Sequence, residues 1–287
     1  MPKTNYKPTK RRKIHQTRRK KYNLRRWIFL LILGISLIFT GFYLKNKIAF
    51  YYAMHFHKHT EQNLKNSKTE AARIEKIITE YNDKTFGFDI SHYQKKEDIK
   101  WDSLTIANDG INLEFVVMRA TMGKKKKDKH FDEFWEKAKE NKLIRGAYHF
   151  YRADEDPVMQ ANNYLESVKL ETGDLRPVLD IERVPRRKSH EKFIEDLKVW
   201  LKIVEEKYGK KPIIYTYYHY YKDYLKGEID DYPLWLANYN DVMMPSPEDD
   251  WKMWQFTENG IVKGINTKVD LNIYNGNLWS FKSLTLD

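Results

Sequence analysis

From Phe86 to the C-terminus, short runs rich in β-branched and aromatic residues alternate with longer stretches in which apolar residues recur every three or four positions. The runs FGFDIS (86–91), EFVVMRAT (114–121), IRGAYHFY (144–151), RPVLDIE (176–182), KPIIYTYY (211–218), PLWLANY (233–239), WKMWQFT (251–257) and KVDLNIY (268–274) read as strands. FDEFWEKAKENK (131–142), PVMQANNYLESVKL (157–170) and HEKFIEDLKVWLKIVEEKYG (190–209) read as helices. Eight strands, with helices before several of them and shorter connections late in the chain, predict an α/β barrel. Barrels of this class gather their chemistry at the C-terminal ends of the strands.

A different pattern precedes the barrel. Residues 27–44, WIFLLILGISLIFTGFYL, are eighteen positions without a charge, and as a helix they would cover about 27 Å of hydrocarbon. They predict a transmembrane anchor. Arg25, Arg26 and the basic block before them favour a cytoplasmic N-terminus with the long C-terminal part translocated, which makes the chain a single-pass protein of the cytoplasmic membrane with an extracytoplasmic barrel. A cleaved signal peptide shares the basic start and the apolar stretch, but its apolar core is shorter, and no small-x-small site follows here. Residues 45–83 are largely polar. Within them Ala71, Ile74, Ile78 and Tyr81 recur at helical spacing. The segment reads as a stalk, and the same pattern would also suit a helix packed on the domain. The expected divisions are a basic tail at 1–26, the anchor at 27–44, the stalk at 45–83 and the barrel at 84–287.

Charge changes this picture little. The 287 residues hold 52 Lys and Arg against 40 Asp and Glu, a formal net charge of +12. Twelve of the basic residues lie in the first 26, which carry no acid, so the rest of the chain is formally neutral. That distribution gives no support to a nucleic-acid groove, and no nucleic-acid partner is expected. The absence of cysteine excludes disulfides, thiol catalysis and Cys-based metal sites. His55, His57 and His59 alternate just past the apolar run and read as a solvated juxtamembrane segment rather than a metal patch. No metal and no cofactor are expected, and the protein is expected to be a monomer.

The candidate chemistry lies in carboxylates. PVLDIE places Asp180 and Glu182 two residues apart at a strand end, so their side chains share a face with roughly 6.5 Å between Cα atoms. Paired carboxyls at such spacing can hold one proton for a leaving oxygen and one charge for an oxocarbenium-like centre. A D-x-E at a strand end also suits a solvated edge or a helix cap. Asp89 lies near the end of the first strand run and Asp270 in the last. Each has a local alternative, an Asx turn toward Ser91 or His92 for Asp89 and a bulge before Asn272 for Asp270. A barrel would bring all four acids to one cleft. Aromatic residues crowd the same strand ends, some as core and some with polar edges suited to sugar faces.

In order and spacing, FGFDISHYQ, FVVMRAT, GAYHFYR, PVLDIE, KPIIYTYY, PLWLANY, WQFT and VDLNIYNG closely resemble the glycoside hydrolase family 25 lysozymes, the Chalaropsis-type N-acetylmuramidases. The resemblance covers about residues 84–282. It implies a modified TIM-like (β/α)5(β)3 barrel that cleaves the β-1,4 bond from N-acetylmuramic acid to N-acetylglucosamine in peptidoglycan. By position, Glu182 would be the general acid and then base, Asp180 its carboxylate partner, and Asp89 and Asp270 the further acids of the cleft. Whether Asp180 attacks the anomeric carbon or steadies a ring formed by the substrate's acetamido group stays open.

The roles have physical expectations attached. Like-charge repulsion from an ionised Asp180 is expected to keep Glu182 protonated. Tyr148 and Tyr215 are candidate hydrogen-bond donors to Asp180, and Trp235 and Trp254 candidate walls of the saccharide groove. One position departs from the family: Thr121, Met122, Gly123 stand where Thr-Glu-Gly is frequent, followed by Lys124–Lys127, a run that reads as a solvated loop or a weaker attractor of anionic wall groups. Beside a membrane-anchored muramidase stand a catalytically silent glycan-binding module on the same barrel, an acidic-partner binder working through residues 1–26, and, as the nearest enzymatic rival, a β-1,4 chitin hydrolase. A pure binder has little use for four carboxylates poised to repel one another.

Overall fold

The computed structural model describes residues 26–38, 40, 64–107, 110–239 and 250–287. Residues 1–66 and 67–287 form two separate units. In the first, residues 26–38 are helical (α1), and Trp27, Phe29, Leu31, Leu37 and Ile38 are exposed. Among the described residues no helix is long and apolar enough to cross a membrane. Residues 39 and 41–44 of the expected span, the tail at 1–25, the first part of the expected stalk, and His55, His57 and His59 lie outside the described residues.

Among the described residues the second unit carries β1 (Thr85–Ile90), a small hairpin of β2 (Thr105–Ile106) and β3 (Ile111–Asn112), then β4 (Phe115–Met122), β5 (Lys126–Lys127), β6 (Ile144–Phe150), β7 (Val178–Asp180), β8 (Ile213–Tyr217), β9 (Leu234–Ala237), β10 (Trp251–Gly260) and β11 (Val269–Tyr274). Eight of these close into a barrel in the order β1, β4, β6, β7, β8, β9, β10, β11, with β11 returning to β1. Each expected strand run falls on one barrel strand. β11 is antiparallel to both β10 and β1, while the other barrel strands are parallel. The start of β11 therefore lies at the same end of the barrel as the finish of its neighbours.

The strands are continuous apolar runs because both faces are covered. Phe115, Val117, Val178, Ile213, Tyr215, Trp235, Met253 and Tyr274 fill the interior, and Phe281 and Leu284 join them from the C-terminal segment. Phe281 stacks on Phe115 with ring centroids 4.8 Å apart and meets Tyr274 edge-on at the same distance. That closes the end opposite the acids. Gly87 on β1 has no alternative there, since a Cβ would stand 2.5 Å from the Phe115 ring.

Helices α3 (Phe131–Glu140), α4 (Pro157–Ser167) and α5 (His190–Tyr208) precede β6, β7 and β8. Asp156 caps α4 by accepting from Met159 N at 2.8 Å, with Pro157 pre-set in the first turn. Ser189 caps α5, which ends at Gly209 in the left-handed conformation. Beyond β8 the connections shorten, and α2 (Leu64–Glu80) contacts β10 from its residues after 66. Arg73 donates to Glu70 through Nε and Nη2, and Nη2 also reaches Phe256 O at 2.7 Å. Thr257 Oγ1 donates to Glu70 Oε1 at 2.8 Å. Tyr81 meets Trp254 edge-on, and Ile77 and Ile78 are buried. Residues 67–80 are thus a helix packed on the barrel, the second of the two readings of this segment.

Arg73→Ala removes three charge-assisted hydrogen bonds in a half-buried position and is expected to cost about 2 kcal/mol of stability. A urea-denaturation midpoint that does not move would mean that α2 lies outside the cooperative unit.

Candidate active site

Each of the four candidate acids is placed at one barrel end by a different local device. Asp89 is the next-to-last residue of β1 and Asp270 the second of β11, and the antiparallel register sets them opposite one another. Asp180 closes β7, between Phe150 of β6 and Tyr215 of β8. Tyr151 N donates to Asp180 O at 2.9 Å, Ile181 N to Tyr215 O at 2.9 Å, and Thr216 Oγ1 to Ile181 O at 2.6 Å. These ties hold the D-I-E tripeptide in strand geometry for one residue beyond β7, so Glu182 projects on the same side as Asp180.

An amide clamp holds Asp89. Its Oδ2 accepts from Gln255 Nε2 at 2.7 Å and Asn272 Nδ2 at 2.8 Å. The opposite ends of both amides are fixed in turn: Gln255 Oε1 accepts from Tyr215 and Tyr239, and Asn272 Oδ1 accepts from Trp235 Nε1 at 2.9 Å. Because each amide oxygen already takes a donor, each amide nitrogen faces the carboxylate. Asp270 supplies a further hydrogen bond to Asp89.

Burial dominates the electrostatics. It pushes Asp89 up to about 6 against the hydrogen bonds from Asn272, Gln255 and Asp270. Asp270 is raised well above the carboxylate range by burial and then by the charges of Asp89 and Glu258, so it is the proton donor of the Asp89–Asp270 pair. Burial carries Glu182 up to about 7, opposed chiefly by Arg183. Burial also raises Asp180 well above its ordinary value, with the charge of Glu182 second and Asp89 third. Two expectations change here. Burial, rather than Asp180, is the main cause of the Glu182 shift, and Asp180 does not keep an ordinary carboxylate pKa. Asp180 and Glu182 titrate as a pair that holds at least one proton up to near neutral pH. Asp180 Oδ1 is buried and finds no hydrogen-bond partner among the described residues.

The aromatic assignments divide. Tyr148 is half-buried and faces the acids, its hydroxyl raised by burial and by the charges of Asp89 and Asp180. Tyr215 serves Gln255 rather than Asp180. Trp235 is 1% exposed in the barrel interior, and Trp254 is 0% exposed on the outward side of β10, its Nε1 donating to Asn238 O. Neither indole is a wall of an open groove: strand alternation turns Trp235 inward below the rim and Trp254 toward Tyr81 of the α2 side.

Other side chains take the places at the mouth. Tyr217 is half-buried, and the charge of Glu182 is the largest cause raising its hydroxyl. Tyr239 and Phe150 are half-buried too. Arg119 on β4, paired with Asp128 at 2.8 Å, lowers both Asp180 and Glu182, and Glu258 adds a further carboxylate. Asn272 was legible in principle, since it lies two residues after Asp270 and so shares its face. Among the described residues no group of three or more His, Asp or Glu is arranged to hold a metal ion.

Comparison with known proteins agrees with this arrangement. The sequence pattern of glycosyl hydrolases family 25 matches residues 88–265. The uncharacterized protein YegX of Escherichia coli strain K12 is 37% identical over 194 residues, covering 66% of this chain and 69% of that protein. The autolytic lysozyme of Clostridium acetobutylicum is 29% identical over 160 residues, covering 56% and 48%. Among solved structures, a family 25 glycosyl hydrolase from Bacillus anthracis superposes with a TM-score of 0.64 at 28% identity, over 71% of this chain and 95% of that one. The bacterial lysozyme from Streptomyces coelicolor gives 0.62 at 26% identity, over 70% and 97%.

The raised acids weaken the fold as pH rises. Glu182 ordinarily titrates near 4.5 and here near 7, so its contribution to stability is full below the ordinary value and is lost as pH passes through the raised one. Glu182→Gln is expected to gain about 1–2 kcal/mol over the parent at pH 8 and nothing below about pH 4, as read by denaturant unfolding. A pH-independent difference would mean that the carboxyl is not buried as described.

Proposed function

Because the chain belongs to glycoside hydrolase family 25, we propose that this glycoside hydrolase is a muramidase, cleaving the β-1,4 bond from N-acetylmuramic acid to N-acetylglucosamine in peptidoglycan. The observation that carries the reading is the Asp180–Glu182 pair at the barrel mouth, Asp180 buried and Glu182 half-buried, with Asp89 clamped beside it. In the productive state the shared proton sits on Glu182 and the charge on Asp180. Arg119 and Arg183 make that ionised Asp180 accessible by lowering both acids. Glu182 gives its proton to the glycosidic oxygen as the bond to the anomeric carbon breaks, and the Asp180 charge favours the positive charge that develops there. Glu182, now ionised, takes a proton from the attacking water as the second bond forms.

Asp89 and Asp270 sit behind this pair as one hydrogen-bonded unit. Their combined charge sets the potential in which Asp180 and Glu182 exchange the proton. The lysozyme names of several relatives support peptidoglycan as substrate. The proposal extends to the N-terminus: the uncharged residues 27–44 behind a wholly basic block anchor the chain in the cytoplasmic membrane, with the barrel on the outer side.

Digestion of purified peptidoglycan, with mass spectrometry of the new reducing ends, tests the assignment. Muramic acid ends are expected from the parent, with Glu182→Gln slower by about 10²–10⁴-fold. Glucosamine ends would reject the assigned bond, and no product would favour a glycan-binding module. The rate is expected to fall as pH rises through about 7, where Glu182 loses its proton.

A further inference from the structure

The lysine run after β4 is an exposed hairpin tied down at its base. β5 pairs antiparallel with the end of β4, Thr121 against Lys127 and Met122 against Lys126. Asp128 N donates to Ala120 O at 2.8 Å, and the buried Arg119–Asp128 pair pins the hairpin base. Asn163 Nδ2 donates to Gly123 O at 2.7 Å and Lys126 O at 3.2 Å. Gly123 has φ +57°, and a Cβ there would stand 2.6 Å from Glu155 Oε2.

Two neighbouring loops are stitched to it. Lys124 N donates to Glu155 Oε2 at 2.8 Å, and Lys188 Nζ donates to Glu155 O at 3.0 Å. Arg186 N and Arg187 N both donate to Asp154. Segments 124–130, 151–156 and 183–188 together hold ten Lys and Arg against four Asp and Glu, whereas the rest of residues 84–287 holds 23 Lys and Arg against 31 Asp and Glu. The acids are engaged: Asp128 by Arg119, Asp154 and Glu155 by backbone N–H groups, Asp156 as the cap of α4. Lys127 is paired with Asp132 and Lys188 with Asp196. Lys124, Lys125, Lys126, Arg186 and Arg187 are exposed and make no ion pair among the described residues. Arg183, over the Phe150 ring at 5.7 Å, connects this surface to Glu182 and Asp180, whose pKa values it lowers.

We infer that this rim is a binding surface for the anionic stem peptides of the glycan strand, so that the favoured substrate is peptide-bearing rather than bare glycan. The inference rests on the peptidoglycan reading above. A muramyl residue seated against Asp180 and Glu182 carries its lactyl-linked peptide off the sugar ring, and the free carboxylates of that peptide are what a fixed cationic rim beside the cleft recognises. Fixed loops recognise a branching anion with less ordering cost than mobile lysines would. The contact is electrostatic and solvent-exposed, so it is screened by salt.

The test uses the full chain in detergent micelles and a variant carrying Lys124→Glu, Lys125→Glu and Lys126→Glu, assayed on peptide-bearing strands and on strands of the same length stripped of peptide by an amidase. The parent is expected to show a lower KM on peptide-bearing strands, an advantage lost at high salt. The variant is expected to raise that KM about tenfold, with kcat and the KM for stripped strands unchanged. Equal effects on both substrates, or none on either, would overturn the inference. Salt-sensitive binding to anionic vesicles that the variant loses, with strand preference intact, would also overturn it by giving the rim to a lipid surface. If the parent cleaves neither substrate, the muramidase reading fails by itself. Co-sedimentation with the two strand types then still decides the rim, supporting it if the parent prefers peptide-bearing strands and the variant does not, and refuting it otherwise.

Discussion

The structure depends on one costly arrangement, the burial of several carboxylates at one barrel mouth. Charged groups taken out of water either neutralise or find compensating donors. Here both solutions occur side by side. Asp270 keeps its proton and donates it to Asp89, and Asp89 takes two amide hydrogens. The neighbouring Asp180 and Glu182 lack such a clamp and are left to share protons between themselves. The clamped pair is therefore a fixed background, and the unclamped pair is where a proton can move during a reaction.

That division follows from the direction of a single strand. If β11 ran parallel to the rest, its second residue would lie at the opposite end, and Asp270 could not face Asp89. Because β11 is antiparallel, Asp89 and Asp270 are register partners, and Asn272, two residues further on, turns to the same interior side. Gln255 comes from β10, and its amide oxygen is held by tyrosines from β8 and the segment after β9. The large side chains below the acids are therefore more than filling. Trp235 orients Asn272, and Tyr215 orients Gln255, so core packing and carboxylate chemistry use the same residues.

The barrel was legible in the sequence because eight apolar runs were separated by turns or by strongly periodic helices, and each run fell on a barrel strand. The four acids were legible because Asp89, Asp180 and Glu182 sat at or near the ends of their runs and Asp270 in the last run. What could not be read was height and side: an aromatic at a strand end is a groove wall or core according to its register with neighbours, which one strand does not contain. Trp235 and Trp254 were expected at the groove and lie inside and outside the barrel wall, whereas Tyr217 faces Glu182. The role of the 69–82 pattern was equally unreadable, since its partner, the outer face of β10, lies more than 170 residues away.

Met122 shows how a local irregularity bears on the site. The register of β4 against β6 slips between Arg119 and Thr121, so Ala120 is skipped. Thr121 then pairs with His149 and turns away from the interior, where its Oγ1 meets the buried His149 Nδ1 at 2.7 Å. Met122 moves into line with Phe150 and Asp180. An acid at 122, as the family resemblance would suggest, would place another negative charge on the level of Asp180 and drive its pKa further up. A thioether adds none. The only full charges that β4 contributes near the cleft are then positive, from Arg119 and the hairpin it pins. The loss of that acid removes a charge that would oppose an ionised Asp180, and the lysine run beside it gives the outer rim of the mouth a cationic side.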